Sequence, residues 1–298
     1  MAILFEVILT KQCNKRCQYC DLDFNNISLS YKHIDLFINF IIKNKVDCKI
    51  NFFGGEPLLE FDKIKYIINN LDGVLTQYYI GTNGLLLDEK VLSYFKEKNI
   101  KIHLSIDNIT LGKNLNLETI SHYKENIIIN FVNDPDYMEN SIKLYDIIIS
   151  YGFKNIAFMP VFSTKKWTKN SLSLLRKTYN YIKSNTKETT LDKFGYFNGV
   201  SAEKQFILDI DGYFYSDVDS LLWLQKQYKN IPNETKETIN NKTKLISLED
   251  KNLSLNNLIT LYNIEDLLKL IFDIPKISGD YLSYKVIDKI IENNATKR

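Results

Sequence analysis

Three cysteines fall within one short stretch, Cys13-x-x-x-Cys17-x-x-Cys20. Thiolates are soft ligands that suit iron–sulfur clusters and zinc. A four-iron cubane held by three cysteines keeps one iron without a protein ligand, and a small molecule can chelate that iron directly. Zinc held by these cysteines and a histidine is the other chemistry open to them. The only nearby histidine is His33, and zinc sites usually pair short C-x-x-C units, so the cluster is the favoured reading. The fourth cysteine, Cys48, opens a predicted strand and reads as a small buried hydrophobe.

Four further groups stand out. Gly54-Gly55-Glu56-Pro57 follows a buried run, and its glycines would let the backbone approach a ligand closely. An ordinary turn is the plainer alternative. Thr82-Asn83-Gly84 follows the next strand and is either a ligand contact or an Asn-Gly turn. Leu104-Ser105-Ile106-Asp107-Asn108 closes a fourth strand, where alternation puts His103, Ser105 and Asp107 on one face. Asp107 can serve there as a cap, and His103 reads first as a satisfied core histidine and second as a proton relay. Glu6 interrupts the first strand, where it either faces the cavity or lies on the edge of an open barrel, and the edge is the favoured reading.

The elements that must position these residues alternate. Strands are predicted at 3–9, 48–53, 77–80, 100–106, 127–132 and 156–161, with helices at 30–44, 61–71, 88–98 and 137–151. Asp88 is the expected N-cap of the third helix. The link from Asn108 to His122 is irregular. Repeated βα units imply an α/β fold with a parallel sheet. In βα barrels the chemistry sits at the C-terminal ends of the strands, and the Cys13–Cys20 loop, Gly54–Pro57, Thr82–Gly84 and Ser105 with Asp107 all fall there. Beyond about residue 190, Asp211-Gly212 between Gln205–Ile210 and Tyr213–Tyr215 predicts a two-residue hairpin. Residues 231–256 read as a polar loop, and helices are expected at 263–272 and 281–292.

With 298 residues the chain allows one large domain, or one domain and an appendage. The 38 basic and 36 acidic residues nearly cancel, which gives no support to a nucleic-acid footprint. No run of 18 or more apolar residues occurs, so no membrane span is expected. The first residues lack a secretory h-region and cleavage site. A cytoplasmic location follows as an expectation, and there cysteines serve metals or catalysis before disulfides.

The cysteine spacing, with Tyr19 just before the third cysteine, resembles the signature of the radical S-adenosylmethionine (SAM) superfamily. The Gly54–Pro57 segment resembles that family's GGEP motif. Ser105-Ile106-Asp107 is similar to the S-[IL]-D-G segment of its peptide-modifying members, with Asn108 in place of Gly. The resemblance implies a partial (β/α)6 TIM-like barrel over residues 1–190, with a small C-terminal α+β extension over 191–298. It implies a [4Fe-4S] cluster on Cys13, Cys17 and Cys20, with SAM bound to the open iron and split to a 5′-deoxyadenosyl radical that takes hydrogen from a substrate. SAM-binding positions would be Tyr19, Gly54, Gly55, Glu56 (for the ammonium group), Pro57, Asn83, Ser105 and Asp107. An electron donor such as flavodoxin or ferredoxin would supply the electron.

The segment from Phe206 to Asp217 resembles the hairpin of the SPASM or twitch extension, where a cysteine binds an auxiliary cluster. Here no cysteine follows Cys48, so a thiolate-bound auxiliary cluster is not expected. Redox-neutral chemistry, such as epimerisation or rearrangement, becomes the expected outcome. His103, Asp209 and Asp217 are the acid–base candidates, with a solvated acidic turn as the plainer reading of the two aspartates. A peptide is the expected substrate. A sugar, nucleotide or other small metabolite is the alternative, and a non-catalytic metal- or peptide-binding barrel is a second one.

Overall fold

The computed structural model describes residues 3–20, 24–74, 76–161, 167–185, 190–192, 204–216 and 244–261. Two compact units divide the chain. One comprises Met1–Arg16, Cys20–Thr82 and Val200–Ile271, and the other Cys17–Tyr19, Asn83–Gly199 and Phe272–Arg298.

The first unit holds β1 (Ile3–Thr10), α1 (Tyr31–Asn44), β2 (Cys48–Gly54), α2 (Phe61–Asn70) and β3 (Thr76–Thr82). β1 pairs in parallel with β2, and β2 with β3. All eight residues of β1 are buried. Phe5 meets Phe37 and Phe40 of α1 edge-on, so one face of β1 is packed under that helix. Ser30 caps α1 by accepting the His33 N–H, which starts the helix where its apolar spacing begins. Cys48 is buried, as its reading as a small hydrophobe requires.

The second unit holds α3 (Glu89–Glu97), β4 (Lys101–Asp107), α4 (Leu117–Ser121), β5 (Ile127–Asn133), α5 (Ser141–Ser150), β6 (Asn155–Pro160), α6 (Lys169–Asn185) and β7 (Thr190–Asp192). Asp88 caps α3 through the Val91 N–H at 2.8 Å. β4, β5, β6 and β7 pair in parallel in that order. Phe158 of β6 packs on Tyr179 of α6. The expected α/β class, parallel strands returned by helices, is therefore present. The helix expected over 137–151 is divided. A 3-10 segment, Pro135–Asn140, precedes α5, and Tyr137 (φ −126°) breaks the helical path within that segment.

Three expectations need correction. First, β1 is not an edge. β8 (Lys204–Leu208) pairs with it in parallel on the side away from β2, so Glu6 has strands on both flanks. Its carboxylate is 1% exposed and accepts from Asn51 Nδ2 at 3.3 Å. Second, β8 and β9 (Tyr213–Ser216) are joined by four residues, Asp209–Gly212. The Asp209 N–H donates to Tyr213 O, the Gly212 N–H donates to Asp209 O, and Gly212 sits at φ +75°. The turn runs from Asp209 to a left-handed glycine, and Asp211-Gly212 forms only its second half. Third, residues 231–256 are not all loop. β10 (Lys244–Ser247) pairs antiparallel with β9, and α7 (Leu255–Leu261) follows. The helices expected at 263–272 and 281–292 lie outside the described residues.

Candidate functional site

In the first unit the chain leaving β1 is fastened to the segment leaving β2. The Gly55 N–H donates to Thr10 O at 2.8 Å, and the Glu56 N–H donates to Gln12 O at 2.7 Å. A Cβ on Gly54 would stand 2.3 Å from Thr10 O, and one on Gly55 would stand 1.9 Å from Gln12 O. The close approach these glycines permit is thus to the root of the cysteine loop. Sequence reasoning assigned it to a ligand.

Glu56 is 1% exposed. Its Oε1 accepts the Leu58 N–H at 3.1 Å and the Thr82 hydroxyl at 2.8 Å. Both bonds end on one oxygen, which helps fix the orientation of the carboxylate. Pro57 opens the 3-10 turn Pro57–Glu60 that Glu56 caps, a position where its missing N–H costs nothing. Thr82 is a residue that the motif reading passed over as part of Thr-Asn-Gly.

Cys13, Cys17 and Cys20 are all half-buried. The Lys15 N–H points at Cys13 Sγ from 3.4 Å. Arg16 folds back to donate to Cys13 O at 2.6 Å and lies 4.4 Å over the Phe24 ring. Among the described residues no three His, Cys, Asp or Glu side chains converge on a point that one metal ion would occupy. Sulfurs that each bind a different iron of a cubane stand further apart than sulfurs sharing one ion. The donor set, three soft thiolates on a loop with the Lys15 N–H directed at one of them, fits a cluster.

The second unit places Tyr19 and Asp107 together. The Tyr19 hydroxyl donates to Asp107 Oδ2 at 3.2 Å. Burial, the Asp107 carboxylate and the neighbouring Cys17 push the Tyr19 phenol far above its ordinary range, so it remains a neutral donor. Asp107 Oδ1 also accepts the Thr110 N–H at 2.7 Å and the Thr110 hydroxyl at 2.9 Å. The capping role is therefore real, and it leaves the other oxygen to Tyr19. Ser105 is half-buried and pairs with Asn130 across the β4–β5 ladder. Asn83 Oδ1 accepts the Leu85 N–H at 3.1 Å, the bond of an Asx turn.

His103 shares its strand face with Ser105 and Asp107, and is 2% exposed. Burial lowers its pKa below 6.5, opposed by a hydrogen bond with Asn130. It is neutral in the folded protein near pH 7. An unfolded chain gains a proton there near 6.5 and the folded one only at lower pH. Stability from this group is therefore intact above about 6.5 and is lost as pH falls through the lowered value. His103→Gln should flatten the fall in urea midpoint between pH 7 and pH 5. An unchanged slope would assign the acid sensitivity to other groups.

Of the acidic candidates near the hairpin, Asp209 forms an ion pair with Lys11 at 3.3 Å, and its side chain is 14% exposed. It is not a solvated turn residue. Asp217 lies outside the described residues. No helix among the described residues is long and apolar enough to cross a membrane.

No family model matches the chain. An uncharacterised protein of Methanocaldococcus jannaschii is 31% identical over 173 residues, 50% of this chain and 59% of that protein. The radical SAM cyclopropyl synthase TigE of Paramaledivibacter caminithermalis is 26% identical over 247 residues, 71% of this chain and 42% of the synthase. A GTP 3′,8-cyclase of Alkaliphilus oremlandii is 28% identical over 242 residues, 71% of this chain and 74% of the cyclase. The chain thus spans 59% and 42% of the first two relatives' lengths. Among solved structures, anSMEcpe with bound AdoMet and a Kp18Cys peptide superposes with a TM-score of 0.64 at 16% identity, covering 87% of this chain and 80% of the other. Streptococcus suis SuiB bound to the precursor peptide SuiA gives 0.59 at 16%, covering 89% and 65%. At these identities the superpositions establish a shared fold, and that fold is the α/β class expected from the sequence.

Proposed function

The chain is a relative of radical SAM enzymes in sequence and in fold, and from that premise we propose that it is itself such an enzyme. It would cleave S-adenosylmethionine reductively at a [4Fe-4S] cluster on Cys13, Cys17 and Cys20, and take hydrogen from a peptide in the reducing cytoplasm. The observation that carries this reading is the fastening of the cysteine loop to the Gly54–Glu56 segment by two main-chain hydrogen bonds. It ties the loop for the cluster to the carboxylate that would hold the SAM ammonium group.

The bound cluster supplies the electron that splits the S–C5′ bond. The chain's own residues do the holding. Glu56, oriented by Leu58 and Thr82, is the acceptor for the ammonium group. Tyr19, as a neutral phenol locked on Asp107, fixes the loop between the second and third cysteines. Ser105, Asp107 and Asn83 are the expected contacts to the rest of SAM. His103, neutral and buried, can accept a proton but cannot deliver one near pH 7. Redox-neutral outcomes such as epimerisation or rearrangement are the reactions proposed for this chain.

A peptide substrate is supported by two fold neighbours, each solved with a bound peptide. A small-molecule substrate is the second reading. It is favoured by the relative named as a GTP cyclase, of which this chain covers 74%.

Anaerobic reconstitution with iron and sulfide tests the proposal. Wild type should turn brown and release 5′-deoxyadenosine from SAM on addition of dithionite. Each of Cys13→Ala, Cys17→Ala and Cys20→Ala should abolish that release. A colourless protein that retains zinc would replace the enzyme with a structural metal binder. Deuterium transfer into 5′-deoxyadenosine from labelled peptides, compared with labelled nucleotides, separates the two substrate classes.

A further inference from the structure

Lys11 stands two residues before the first cysteine, and its main chain closes the base of the loop. Its N–H donates to Ile27 O at 2.9 Å, and the Asn25 N–H donates to Lys11 O at 3.3 Å. Its side chain turns away from these bonds and meets Asp209, Nζ to Oδ2 at 3.3 Å. The two side chains are 27% and 14% exposed, so water screens this pair less than it screens a surface pair.

Asp209 is itself held firmly. Its Oδ1 accepts the Ile210 N–H at 2.7 Å, and its main chain closes the β8–β9 turn on both sides. One carboxylate oxygen is tied to the turn while the other meets the lysine. The height of Asp209 beside the chain leaving β1 is set by strand register, because Leu208 pairs with Val7. The turn is seated on α1 as well. A Cβ on Gly212 would stand 2.7 Å from His33 Nε2, and the Leu248 N–H donates to Gly212 O at 2.8 Å. A rigid hairpin therefore delivers a fixed carboxylate to the residue that closes the cysteine loop.

We propose that Lys11 and Asp209 are positioning residues: the hairpin braces the cysteine loop through this ion pair, and thereby governs how firmly the loop retains its cluster. The second half of that statement rests on the radical SAM reading, and the first half does not. The hairpin carries no cysteine, and bracing gives it a task that needs no metal of its own.

Lys11→Met and Asp209→Asn keep most of each side chain's volume and change the local charge in opposite directions. A purely electrostatic influence would move the two variants oppositely. A brace predicts the same change in both. In metal-free protein, the amides of Lys11 and Asn25 should exchange hydrogen on the order of tenfold faster in either variant. The double variant should be no faster than the singles, and Lys11→Arg should stay near wild type. After reconstitution, both single variants should lose iron to a chelator on the order of tenfold faster than wild type, the scale seen when residues supporting metal ligands are removed.

Unchanged exchange at both amides overturns the brace. Opposite shifts in the two variants overturn it too. If wild type holds a cluster and Asp209→Asn releases iron at the wild-type rate, the claim of cluster retention is overturned. If wild type takes up no cluster while exchange accelerates as stated, the brace stands and the radical SAM reading falls.

Discussion

Gly55→Ala should unseat the cysteine loop, while Gly81→Ala leaves it in place. Neither glycine has a positive φ, so backbone conformation does not distinguish them and the comparison isolates space. At Gly55 the added Cβ would stand 1.9 Å from Gln12 O and 2.5 Å from Gln12 C. Both are main-chain atoms and cannot rotate aside. Relief requires the segment leaving β1 to move away, which breaks the Gly55–Thr10 and Glu56–Gln12 hydrogen bonds together. At Gly81 the nearest atom is a Phe53 ring carbon at 3.3 Å, and that ring can shift by a few tenths of an ångström. Overpacking against rigid backbone places the Gly55→Ala cost on the order of 3 kcal/mol, against under about 1 kcal/mol for Gly81→Ala. Urea midpoints measure the difference. Iron content after reconstitution should fall steeply in the first variant alone. Equal iron retention would show that the two main-chain bonds do not set the loop.

The second large effect is expected at Asn108, the position where the sequence departs from its motif. The side chain lies in the fully buried part of the second unit. Its amide nitrogen donates to Asp134 O at 3.0 Å, Tyr137 O at 3.0 Å and Ser141 Oγ at 3.1 Å. Its carbonyl oxygen accepts the Asp134 N–H at 2.9 Å. One side chain thus pins the end of β4 to the whole connection between β5 and α5. Asn108→Gly restores the motif glycine but orphans main-chain groups at Asp134 and Tyr137. Each buried, unsatisfied group costs about 1–3 kcal/mol. A loss of about 3 kcal/mol is expected, read as a fall in Tm of roughly 6 °C or more. Asn108→Asp is the sharper test, since it keeps the acceptor and replaces a donor that faces three acceptors. It should be at least as unstable as Asn108→Gly at neutral pH. A melt within a degree of wild type for both variants would reduce the clamp to an incidental contact.

Much of the architecture was legible from periodicity. The strands at 3–10, 48–54, 127–133 and 155–160 and the helices capped by Ser30 and Asp88 stand within a residue or two of their expected bounds. They were readable because local forces decide them: apolar spacing and a capping hydroxyl or carboxylate. Residues decided by contacts remote in sequence were misread. Glu6 was placed at an edge because nothing near it announces that residues 204–208 complete the sheet. Asp209 was taken for a solvated turn residue because its partner lies 198 positions away. Gly54 and Gly55 were singled out for approach to a ligand, and the close approach in the structure is to Thr10 and Gln12. Asn108 was treated as a weakened motif. Its hydrogen bonds run to residues 134–141, which no local pattern connects to it.

The pairing of β1 with β8 also constrains the order of events as the chain is made. The strand that launches the cysteines gains its second neighbour only when residues 204–208 exist. Until then one row of its amide and carbonyl groups is unmatched, along a segment that is almost wholly apolar. Such an edge invites pairing with other molecules, and a contact that spans some 200 residues forms slowly for reasons of loop entropy. A nascent chain interrupted between β7 and β8 would expose an unpaired apolar ribbon that leads into its cysteine loop.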